Sequence, residues 1–91
     1  MDIGDLGFSQ TIIDGYLIRE FDYPIQENQL YWHKDKNDRV VSVIAGTNWK
    51  LQLDNSLPIL LLPLEEYFVP KETYHRLILG DSKLILKIKE V

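Results

Sequence analysis

The sequence predicts an all-β domain, and three observations carry that reading. Turn-forming residues recur at intervals of about ten positions and divide the chain into short runs rich in Val, Ile, Leu, Tyr, Phe and Trp. Most of these runs alternate apolar and polar side chains, the period of two that places successive residues on opposite faces of a strand. Nowhere do capping residues frame a sustained 3.6-residue period, so no helix is expected.

The elements follow in order. The acidic start, MDIGDLGFSQ, is expected to be a loosely held arm over residues 1–10. Strands are then expected at Thr11–Phe21, Gln29–His33 and Arg39–Ala45. In NWKLQLDN, Trp49, Leu51 and Leu53 point one way and Lys50, Gln52 and Asp54 the other, before Asp54-Asn55-Ser56 ends the strand. Leu57–Leu62 and Glu66–Val69 supply two more. TYHRLIL, from Thr73, is expected to form a hairpin with KLILKIKEV, GDSK being the turn. In that last strand Leu84, Leu86 and Ile88 oppose Lys83, Ile85, Lys87 and Lys89, giving one buried and one mostly wet face. Eight strands in 91 residues must cover their apolar faces by closing into a barrel or packing as two sheets, so residues 1–91 read as one small β-barrel domain.

Composition narrows the function. A formal charge of −4 argues against an extended nucleic-acid surface, which needs clustered Lys and Arg. No apolar run approaches the roughly 18–20 residues of a membrane span, and the start lacks the basic and apolar regions of a secretory signal, so a cytoplasmic location is the expectation. The absence of cysteine removes disulfides, thiolate metal sites and cysteine nucleophiles. Ser9, Ser42, Ser56 and Ser82 stand in no nucleophile-elbow context, the five glycines form no phosphate loop, and adjacent Glu65 and Glu66 face opposite ways.

What remains is a pair of histidines. In FVPKETYHRLILG, His75 shares a strand face with Leu77 and Leu79 and so points inward. His33 closes QLYWHKD and shares its face with Tyr31 and Asp35. Two imidazoles and a carboxylate converging from neighbouring strands suit Fe(II), Mn(II) or similar ions and leave coordination positions open. The plainer readings are a core histidine satisfied by a backbone carbonyl, Asp35 as a turn former in DKND, and Arg39 paired with Asp35 or Asp38.

The same residues resemble the cupin motifs. In the second motif (Gly, five residues, Pro-x-Gly, two residues, His) the positions are filled here by Leu64, Pro70, Glu72 and His75: both glycines are replaced, and Pro and His match. In the first (His-x-His, three or four residues, Glu, six residues, Gly) the positions hold His33, Asp35, Arg39 and Gly46. The resemblance covers about Tyr31–Val91 and implies a small jelly-roll barrel with a metal inside it, His33 and His75 as ligands and Asp35 in place of the second histidine. Arg39 replaces the glutamate, and a guanidinium cannot ligate a cation.

Three functions stay open on these grounds. The first is a binding protein for a divalent metal (Fe, Mn, Ni or Zn) or a small anion such as a nucleotide, sugar phosphate or organic acid. There Arg39, His33 and His75 grip the ligand, and Tyr31, Trp32, Trp49 or Phe68 can stack on a ring. The second is a metal-dependent isomerase or dioxygenase built on His33, Asp35 and His75. The third is a scaffold or assembly protein, homodimeric through an exposed strand edge, of the kind that small cupin-like reading frames of bacteria and phages suggest.

Overall fold

The computed structural model describes residues 8–25 and 30–91, and within them every regular element is a strand. In chain order these are β1 (Phe8–Ile13), β2 (Tyr16–Phe21), β3 (Arg39–Ala45), β4 (Lys50–Leu53), β5 (Ile59–Leu60), β6 (Glu66–Val69), β7 (His75–Ile78) and β8 (Leu84–Glu90). They form a five-stranded sheet in the order β1-β2-β8-β3-β6 and a three-stranded sheet in the order β5-β4-β7.

Local chemistry explains where the elements differ from expectation. The strand expected at Thr11–Phe21 is two strands, because Asp14 and Gly15 both take positive φ (51° and 82°) and close a two-residue turn between paired Ile13 and Tyr16. An Asp-Gly pair between apolar runs is the signal for this turn, whose twist matches that of the strands it joins. Residues 8–10 of the expected arm belong to β1, held by the pairing of Phe8 with Phe21; residues 1–7 lie outside the described residues. Leu57–Leu62 contracts to β5 between Pro58 and Pro63, neither of which has an N–H to offer a ladder.

GDSK is not a hairpin turn. β7 pairs with β4, aligning Leu51 with Leu77 and Leu53 with His75, whereas β8 lies between β2 and β3 in the other sheet. Gly80–Lys83 therefore crosses from one sheet to the other. Gly80 is required there, since a Cβ would run into the Thr47 carbonyl oxygen and the Trp49 indole. That indole N–H donates to the Ser82 carbonyl at 2.7 Å and so pins the crossover.

The strand expected at Gln29–His33 appears as a single bridge, with Gln29 outside the described residues. His33 and His75 exchange two backbone hydrogen bonds, His33 N–H to His75 O at 3.0 Å and His75 N–H to His33 O at 2.8 Å. With this bridge the smaller sheet runs His33, β7, β4, β5 against β2, β8, β3, β6, the interleaved arrangement of a jelly roll. Between the sheets lie Phe21, Val41, Val43, Leu84, Leu86 and Ile88 from one side and Trp49 and Leu51 from the other, all buried. In β8 the alternation Leu84, Leu86, Ile88 is buried as the sequence predicts.

Two backbone positions link sequence and fold. Leu64 and Glu72 take φ of 69° and 58°, in the left-handed region that favours glycine. They stand where the cupin motif carries its two glycines, so the backbone shape is kept although the residue type is not.

Candidate metal centre

The reciprocal backbone bonds between His33 and His75 set their side chains directly opposite each other on one face, with ring centroids 4.3 Å apart. Asp35 follows two residues on, and its carbonyl accepts a hydrogen bond from the Glu72 N–H at 2.7 Å. Left-handed Glu72 thus ties the segment carrying Asp35 to the one carrying His75. The donor atoms of His33, Asp35 and His75 lie within 4.8 Å of one another.

Hydrogen bonding fixes both imidazole tautomers. His33 Nδ1 faces the Tyr31 carbonyl oxygen at 3.2 Å and His75 Nδ1 faces that of Thr73 at 2.8 Å. A carbonyl only accepts, so each Nδ1 carries the proton, and a neutral ring then presents its lone pair at Nε2. Burial, reinforced by His33 and Arg39, pushes the His75 pKa below its ordinary 6.5, against the opposing pull of the Thr73 carbonyl and Asp35. The ring is therefore neutral at pH 7.

Asp35 then stands in a revealing position. Its Oδ2 is buried, has no hydrogen-bond donor, and lies 3.2 Å from His75 Nε2. With His75 neutral, two electron-pair acceptors face each other at 3.2 Å, an arrangement that a cation between them would relieve. The other carboxylate oxygen, Oδ1, pairs with Arg39 Nη1 at 3.2 Å, while Arg39 Nε and Nη2 donate to Glu90 Oε2 at 3.2 and 3.1 Å. Arg39 lies in the site without ligating, held between two carboxylates.

The cluster opens into a cavity of about 280 Å³ between the sheets, walled by apolar groups such as Phe21, Val41, Leu51, Leu77 and Ile88. Tyr31 lines it, its ring edge-on to His33 with centroids 6.4 Å apart. Trp49, offered by the sequence as a stacking platform, sits in the core at 1% exposure with its indole N–H bound to Ser82, and it does not line the cavity. Trp32 lies beneath the Arg76 guanidinium, and Phe68 is exposed away from the cavity wall. One polar wall residue was missed from sequence: Arg19. The signal was there, since in YLIREF alternation puts Arg19 on the inward face between Leu17 and Phe21.

Solved structures with the same backbone include KdgF from Halomonas sp., which superposes with a TM-score of 0.73 at 18% identity over 99% of this chain and 84% of that one. A cupin-2 domain containing protein from Shewanella frigidimarina gives 0.65 at 21% identity, over 91% and 80%. The DMSP lyase DddQ from Ruegeria pomeroyi gives 0.68 at 14% identity over 80% of this chain, which spans 35% of the lyase. This chain has the cupin fold. No family model and no curated protein matches it by sequence. The fold, the His-Asp-His cluster and the cavity coincide at one place in the molecule.

Proposed function

We propose that His33, Asp35 and His75 hold a divalent metal ion and that the protein uses it to bind a small ligand in the cavity. The observation that carries this reading is the buried, unpartnered Asp35 Oδ2 lying 3.2 Å from the bare Nε2 of His75. Metal bonds to N and O of about 2.0–2.2 Å place adjacent ligand atoms about 3 Å apart, so the pair already has the spacing of two ligands sharing one ion. Both histidines donate their second ring N–H to a backbone carbonyl, the outer contact that aims a metal-binding imidazole. A mixed imidazole and carboxylate set suits Fe(II), Mn(II), Ni(II) or Zn(II).

Arg39 fits this reading as a positioning residue. By engaging Oδ1 it turns Oδ2 toward His75, and Glu90 offsets its positive charge near the ion. An enzymatic role, as isomerase or dioxygenase, is the second reading, favoured by the fact that three protein donors leave coordination positions open to a ligand. A bound ion would supply Lewis-acid polarisation of a ligand oxygen there. The apolar walls would keep water from competing, and neutral His75 would leave no acidic proton beside the ion.

Elemental analysis of protein purified without a metal-affinity tag, then incubated with each of the four ions, tests the proposal. About one equivalent should survive a weak chelator, because the three donors are already gathered within 4.8 Å and the ion binds without further ordering. His33→Ala and His75→Ala should each lose it while keeping the strand signature in circular dichroism. Protein free of metal under all four conditions would overturn the reading.

A further inference from the structure

We propose that Arg19 is the anion anchor of the cavity, binding the carboxylate of a small organic acid whose other end meets the metal centre. This deepens the reading above and rests on it only for the metal-facing end. Arg19 projects from β2 into the same cavity as His33, Asp35 and His75. Its Nε and Nη2 donate to Gln10 Oε1 at 2.9 and 2.6 Å, and its guanidinium lies 4.3 Å from the centre of the Phe8 ring. Gln10 is its direct cross-strand partner, so the pair is set by the β1–β2 register.

Both groups that fix Arg19 are neutral. A guanidinium has five N–H donors, and Gln10 takes one from Nε and one from Nη2. Nη1 and the second Nη2 proton remain as a parallel pair matched to the two oxygens of a carboxylate. Among the described residues no carboxylate pairs with Arg19, in contrast to Arg39 with its two. Burial and the nearby Arg39 pull the Arg19 pKa down to about 10, with Asp35 and Glu90 opposing, which is the electrostatic state of a cation that an anion would relieve.

The rest of the cavity selects the acid. Among the described residues no lysine lines it, and the cation at Arg39 is already engaged, so one guanidinium end meets the anion. That suits a carboxylate better than a phosphate dianion, which recruits several donors at once. A volume of about 280 Å³ lies at the small end of the roughly 300–1,000 Å³ of ligand pockets, which suits a small acid. The apolar walls favour a short hydrocarbon between the two polar ends.

Calorimetry on Mn(II)-loaded and on chelated protein, with butyrate, succinate, their neutral amides and inorganic phosphate, decides the matter. Wild-type protein should take at least one acid in preference to its amide and to phosphate. Arg19→Gln should weaken that binding about tenfold to hundredfold, the loss of a charge-assisted hydrogen-bonded pair, with Mn(II) uptake unchanged. Arg19→Lys, which keeps the charge and loses the fork, should fall between, and guards against a folding defect in the first variant. Metal failure and anchor failure are separable. Without Mn(II) uptake the metal reading falls, while an Arg19-dependent preference for acid over amide in chelated protein sustains the anchor. No binding of either acid at millimolar concentration, equal binding to Arg19→Gln, or tighter binding of phosphate each overturns it.

Discussion

Two arginines border the same cavity and are used in opposite ways. Around Arg39 the chain places two carboxylates, Asp35 and Glu90, so the charge is neutralised and the side chain becomes a strut that turns Asp35 toward His75. Around Arg19 it places an amide and an aromatic ring, which orient the group without a direct carboxylate partner among the described residues. Residue type alone does not distinguish the two; the chemistry of the fixing partners does. An arginine fixed by acids serves structure, and one fixed by neutral groups is available to a ligand.

Removing each arginine should separate these roles most strongly. Arg39→Gln leaves Asp35, 12% exposed, without its counter-charge, and breaking a buried ion pair by removing one partner should cost about 3 kcal/mol. Urea denaturation of the chelated protein measures it, and Mn(II) affinity should fall with it as Asp35 loses its orientation. Arg19→Gln removes the contact with Phe8 and the hydrogen bonds to Gln10 but also a desolvated cation, and should cost less than Arg39→Gln, about 1 kcal/mol. Equal losses of stability in the two variants would erase the distinction.

A smaller effect comes from pH. The folded-state pKa of His75 is depressed, chiefly by burial. As pH falls below about 6.5, the unfolded chain takes up a proton on this histidine that the folded chain refuses. Stability of the metal-free protein should therefore decline with acidification, at up to about 1.4 kcal/mol per pH unit for one proton. The decline should cease once pH passes the depressed folded value. His75→Gln should flatten this part of the profile; an unchanged slope would mean that another group carries it. A bound ion, which competes with the same proton, should steepen it.

The sequence makes the two ends of the cavity unequally legible. His33, Asp35 and His75 could be grouped because their spacing fits a motif and their strand faces follow from alternation. Arg19 is legible only in part: alternation in YLIREF puts it on the inward face, but its partner Gln10 comes from a strand hidden in the expected arm, and its turn, Asp14-Gly15, lies inside what reads as one long strand. Arg39 draws the anion role in the sequence because it stands at the glutamate position of the cupin motif, and its second acidic partner, Glu90, lies 51 residues away where spacing does not show it. For Trp49, alternation shows that it points inward, but only the crossover at Gly80–Lys83 shows that it points into packed core. Local periodicity gives faces; it does not say which sheet a strand joins.

The smallest effect tests whether the metal end rests on backbone shape rather than residue type. Leu64 and Glu72 hold left-handed φ, which costs an L-residue roughly 1–2 kcal/mol and glycine almost nothing. Leu64 is 95% exposed, so Leu64→Gly gives up no packing and should stabilise by about 0.5–1 kcal/mol after the added unfolded-state entropy of glycine. Glu72→Gly should gain less, because it also loses the exposed pair with Lys34 at 3.3 Å. Leu64→Ala keeps the Cβ and should gain nothing, which isolates the backbone from the side chain. Glu72→Gly keeps the N–H that Asp35 accepts from, so metal affinity should be unchanged even as stability rises. If affinity fell instead, the Glu72 side chain, and not the left-handed turn beneath it, would be what holds Asp35 in reach of His75.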